Sequence, residues 1–175
     1  MKTNYQKLLV VLAVSLLALG GCKKDRSVDP EPVETVAEHK HLRLLVSDEI
    51  TNQLSLIDPS TGKVESFTAR HPKAALYTTA SGRYATLIHG GFNFVENFDS
   101  GLEFHGDHVD VKNNAKFAAL TGDANRPTHF KTKGNEIITF NDGDGTLSVA
   151  NEANFNVVGA KMQTINAGNI AHHGA

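Results

Sequence analysis

The stretch YTTASGRYATLIHGGFNFVENFD, Tyr77 to Asp99, comes back later in the chain. Laid over HFKTKGNEIITFNDGDGTLSVAN, His129 to Asn151, it sets Gly82 against Gly134 and Leu87 against Thr139, 52 residues apart. RLLVSDEITNQLSLIDPSTGKVESF, Arg43 to Phe67, matches the second half of the same unit, with Leu45 against Leu87, 42 residues apart. Each copy is built from short runs such as QLSLID, YATLIHG and EIITFND, rich in β-branched and aromatic residues and closed by glycine, asparagine or aspartate. Runs of this kind read as strands joined by tight turns. In PSTG, Pro59 suits the second turn position and Gly62 closes it. Nothing after the first 21 residues sustains a 3.6-residue apolar period, although Glu152 to Lys161 is ambiguous.

A strand-only unit recurring at this spacing matches one blade of a β-propeller, a four-stranded meander. The sequence therefore predicts an all-β protein, a partial β-propeller of about three blades over residues 41–175. NIAHHGA, at the end, reads as the opening strand of a further blade. A β-sandwich of the same length is the alternative.

Outward from this repeat, the N-terminal residues address the compartment. Lys2 and Lys7 precede an apolar run, Leu8 to Leu19, that is shorter than the roughly 20 residues a membrane-spanning helix needs. Gly20 and Gly21 follow, so residues 1–21 read as an export signal. Cys22 is the one cysteine of the chain, and LGGC resembles the lipobox of bacterial lipoproteins. Lipidation at Cys22 would hold the protein to a membrane of the cell envelope, facing the periplasm or the cell surface. A plain secretory signal is the alternative. Residues 22–40, charged and proline-bearing with few large apolar side chains, read as a tether. Removal of the signal leaves 15 of the 17 basic side chains against 19 acidic ones, which argues against nucleic acid as a partner.

Within the folded part, LEFHGDHVDVKNN places His105, Asp107, His108 and Asp110 around Gly106. On a propeller frame this segment falls in the connection between blades, at the mouth of the central channel. RPTHF and NIAHH align as innermost strands, which puts His129 and His172 at equivalent positions, and His71 precedes the corresponding strand of the blade before. These scattered histidines are expected to converge there. Neutral imidazoles with an oxygen ligand suit tetrahedral Zn(II), while Cu(II) and Ni(II) stay open. Asp110 or Asp107 would supply the oxygen or orient an imidazole. Taken alone, His-x-x-His reads as an ordinary polar loop. His39 and His41 read as solvated linker residues and His89 as structural.

Four segments in order, FHGDHVDV, RPTHF, FNDGDGTLSV and AHHGA, resemble the periplasmic zinc metallochaperones of the AztD type. The resemblance runs from Leu42 to the last residue. It implies a β-propeller that passes zinc to the solute-binding protein of an ABC importer. It also implies zinc ligands among His105, His108, His129, His172 and His173. The family continues for several further blades, and the lipobox implies anchoring where a shuttling chaperone would diffuse.

The remaining motifs are weaker. NDGDG, Asn141 to Gly145, has the look of a calcium loop but lacks the EF-hand ligand spacing, so a glycine-rich hairpin turn explains it better. Glu96 and Asp99 have no partner that indicates acid–base catalysis, and no nucleophile elbow or phosphate loop is present. The leading expectation is a zinc-binding envelope lipoprotein. The alternatives are a propeller-like interaction module without a working metal site, or a shortened gene product whose exposed sheet edges associate. A metal-dependent hydrolase ranks last.

Overall fold

The computed structural model describes residues 41–168. Leu44–Ser47 (β1), Gln53–Asp58 (β2) and Lys63–Thr68 (β3) form a three-stranded antiparallel sheet in sequence order. Its turns carry the expected signals. Asp58 Oδ1 accepts the Ser60 amide at 2.9 Å, and Gly62 takes φ +70°, a left-handed value that glycine adopts without cost.

Ala75–Thr78 (β4), Tyr84–His89 (β5) and Phe94–Asp99 (β6) begin the second sheet. The chain then leaves it for a separate hairpin, Leu102–His105 (β7) and His108–Val111 (β8), before Lys116–Asp123 (β9) completes the order β4-β5-β6-β9. The third sheet, Pro127–Lys133 (β10), Glu136–Asn141 (β11), Thr146–Asn151 (β12) and Gln163–Asn166 (β13), is again in sequence order. Every sheet is a meander, as a propeller blade requires and as a Greek-key sandwich does not. Glu152 to Lys161, ambiguous in sequence, holds one short 3₁₀ turn, Glu152–Asn154, capped by the Asn151 side chain on the Ala153 amide at 3.0 Å.

The sheets pack on one another through two apolar clusters. Leu54, Leu56 and Ala69 of the first blade meet Leu87 and Phe98 of the second. Ala118 and Leu120 on β9 meet Ile137, Ala150 and Phe155 of the third. Leu120, Ile137 and Phe155 are wholly buried, each side chain contributing about 1.5–3 kcal/mol from removal of apolar surface from water. All six residues of β6 are buried, because this strand has a blade on either side. Its polar residues are therefore bonded inside the protein. Asn97 accepts from the Thr86 hydroxyl at 2.8 Å and donates to the Leu120 carbonyl at 3.0 Å. Glu96 and Asp99, without evident partners in the sequence, prove to be structural here. Glu96 Oε1 meets His89 Nε2 at 2.9 Å and accepts the Arg70 amide at 2.9 Å. Asp99 receives Arg83 through two bonds of 2.9 and 2.8 Å, the Gly101 amide at 2.9 Å and the Asn156 side-chain amide at 2.8 Å. Burial works to raise the Asp99 pKa, but Arg83, Gly101 and Asn156 together hold it below the ordinary value.

A histidine hairpin as candidate metal site

The β7–β8 hairpin is rooted at the far end of β6. Gly101, at φ +77°, accepts the Lys112 amide at 2.9 Å, and a Cβ at this position would collide with the Asn113 carbonyl. Arg43 donates to the Ser100 carbonyl from the first blade. Above this base the two strands alternate strictly. Leu102, Phe104, Val109 and Val111 occupy one face, where Leu102 and Val109 are buried and Phe104 lies over Gly82. The opposite face is polar throughout: Glu103 pairs with Asp110, and His105 with His108. Gly106, at φ +50°, opens the two-residue turn between the histidines, a position that demands a left-handed residue.

The two imidazoles sit side by side, ring centres 5.6 Å apart and planes inclined by 29°. His105 Nε2 lies 3.1 Å from Glu103 Oε2 and 4.0 Å from Asp110 Oδ2. His108 Nε2 is 3.5 Å from the same Asp110 oxygen, and its Nδ1 is 2.8 Å from Asp107 Oδ1. The hydrogen bond from His108 holds the Asp107 carboxyl below its usual range, and the same bond raises His108 against the opposing effect of burial. Lys112 Nζ, 2.5 Å from Glu103, lowers that carboxyl in turn. The face is thus two imidazoles and two carboxylates, about half exposed and engaged with one another. Chemically it offers nitrogen and oxygen donors of the kind that zinc accepts, once the internal bonds are exchanged.

Among the described residues, His105 and His108 stand apart from His71 and His129. The segment HGDH is not a connection between blades but an insertion between the third and fourth strands of one blade. It stands at the end of β6 remote from the β5–β6 turn, a strand length or roughly 20 Å away. His71 lies at that other end, stacked on Phe92 with ring centres 4.6 Å apart and 5.6 Å from the His89 ring. Gly90, in the same turn, packs under the Pro127 carbonyl, so β10 and its exposed His129 also start there. Among the described residues no group of three or more histidine, cysteine or acidic side chains is arranged to hold a metal ion. Cys22, His172 and His173 lie outside the described residues, as do the signal, the tether and His39. His41 lines a cleft between the first two blades. Glu103 escaped the sequence reading. Its place two residues before His105, on the same face, is the signal that would have found it.

No protein-family model matches this chain, and no curated protein matches it by sequence. Solved structures do. A structure of apo AztD from Citrobacter koseri superposes with a TM-score of 0.65 at 24% identity, over 72% of this chain and 34% of its own. A second crystal structure of Citrobacter koseri AztD gives 0.65 at 25% identity, over 72% and 35%. The fold is that of AztD. This chain spans about a third of the length of the AztD structures. Within that third, the meander blades of the AztD-like fold fix where the histidine hairpin emerges.

Proposed function

We propose that this chain is a zinc-binding protein of the bacterial cell envelope that holds Zn(II) and hands it on, as a metallochaperone does. The observation that carries this reading is the polar face of the hairpin, where His105, His108 and Asp110 meet on an AztD-like fold. Half-exposed ligands on a two-stranded arm suit an ion that must be released: a partner bringing its own imidazoles can replace them one at a time. The solute-binding protein of an ABC zinc importer is the partner that fits this exchange. His129, His172 and His173 are further candidate ligands. Anchoring through a lipid on Cys22 would keep the protein at the membrane. No catalytic step belongs to this reading.

Elemental analysis of the purified chain after zinc loading at neutral pH, with a His105→Ala/His108→Ala variant alongside, provides the test. About one zinc per chain, lost in the variant, is expected. Equal zinc content in both proteins would remove the hairpin from the site.

A second reading rests on a different observation. Leu44, Ile57 and Val64 form an apolar row across the first sheet, and Leu44 and Val64 are 47% and 57% exposed. We infer that this face associates with a second copy of the chain.

A further inference from the structure

The NDGDG turn finds a use once its neighbours are known. It joins β11 to β12 and faces the end of β9 across a cleft of about 370 Å³ between the second and third blades. Apart from Ala124 the lining side chains all bear oxygen, and none is aromatic: Asp123, Asn125 and Asn93 from one blade, Asn141, Asp144 and hydroxyls including Thr146 from the other. Asn141 is 3% exposed. Its amide nitrogen is committed to the Thr146 and Ser148 hydroxyls, both at 2.9 Å, which fixes the side chain. Its Oδ1 is sealed from solvent and has no hydrogen-bond donor. A buried amide oxygen fixed at a polar cleft and left without a donor is an acceptor still to be satisfied.

The rest of the cleft is built to the same end. Asp144 Oδ1 accepts the Thr146 amide at 3.1 Å and its hydroxyl at 2.7 Å, which sets the carboxylate. Asn93 Oδ1 holds the Arg126 amide at 2.8 Å, and the Asn125 side chain packs so closely on Gly143 that any Cβ there would collide with it. No cationic side chain is part of the lining, and the Arg126 guanidinium is turned to the Asp142 carbonyl at 3.4 Å.

Carboxylate, amide and hydroxyl oxygens without imidazole or thiolate select hard cations, and calcium accepts six to eight such ligands in irregular geometry. We propose that this cleft binds calcium, with Asp123 and Asp144 supplying the charge and Asn141 Oδ1 the buried ligand, and that the ion ties the second blade to the third. Only two acidic side chains take part, so the site is one of modest affinity, roughly 0.1–1 mM as in extracellular calcium modules.

Calorimetric titration of the full chain, stripped of metal, with calcium chloride alone and then magnesium chloride alone tests this, with thermal unfolding followed at each concentration. One calcium per chain and an unfolding midpoint that climbs with calcium are expected. Asp123→Asn/Asp144→Asn, which keeps the Thr146 contacts and alters an exposed residue of β9, should weaken binding about tenfold or more. His105→Ala/His108→Ala should bind calcium as the parent does, since the hairpin lies at the other end of the blade. Absence of both heat and midpoint shift at millimolar calcium would overturn the proposal. So would undiminished binding in the carboxamide variant, or loss of binding in the histidine variant.

Discussion

Asp99 is wholly buried yet ionised, and its four bonds come from Arg83, the Gly101 amide and Asn156, which ties the end of β6 to the third blade. Its folded pKa lies below the unfolded one, so the stability it contributes is complete above about pH 4 and is lost as pH falls through the folded value. Asp99→Asn should cost about 2 kcal/mol at neutral pH, since one charged acceptor is replaced and Arg83 is left part-buried without its carboxylate. Urea denaturation at pH 7 reads the cost. Repeating it between pH 4 and pH 2 should show a shallower acid decline in the variant than in the parent, and parallel declines would remove Asp99 as the source. None of this was visible in the sequence, where Asp99 sits in VENFD without a partner. Arg83 is 16 positions away and Asn156 57 positions away, and only the register of β5 against β6 and the return of the chain after β12 bring them together.

The hairpin shows how far local pattern carries at the scale of elements. Alternation in LEFH and HVDV, with Gly106 between, specifies two short strands and puts His105, His108 and Asp110 on one face. What pattern could not specify is the strand that follows: β9, rather than β7, pairs with β6, because Phe117 packs edge-on to Phe98 at 5.3 Å and closes the blade. The repeat was equally legible. Gly82 and Gly134, matched in the sequence, both take left-handed φ values in the turn between the first two strands of their blades. At Gly101 the backbone and the close approach of Asn113 both demand glycine. Gly101→Ala should therefore destabilise the protein by about 1–3 kcal/mol and loosen the hairpin base. Hydrogen exchange at Lys112 and Asn113, whose amides point at the Gly101 carbonyl, would report this, and unchanged protection at both would contradict it.

Across the molecule, the two buried clusters couple neighbouring blades, while the outer row of Leu44, Ile57 and Val64 on the first sheet is left facing water. Apolar faces of this kind associate, and a charge placed in the row should prevent it. Sedimentation velocity of the parent over a range of concentrations should show reversible self-association, and Leu44→Lys/Val64→Lys should sediment as a monomer throughout. A parent that stays monomeric at every concentration would refute the second reading. Zinc content should be the same in both proteins, because the row and the hairpin belong to different blades.

The bond from the Lys112 amide to the Gly101 carbonyl has one more consequence. The chain leaves the blade and returns to it at almost the same point, so Leu102 to Val111 could be excised and the ends rejoined with little displacement. An arm of this kind is a cassette: it can be gained, lost or rewritten in descent while the blade that carries it is inherited unchanged. Kinship in backbone and kinship in chemistry are then separate inheritances, and in any relative of this protein the ten residues of the arm are the place to look for the second.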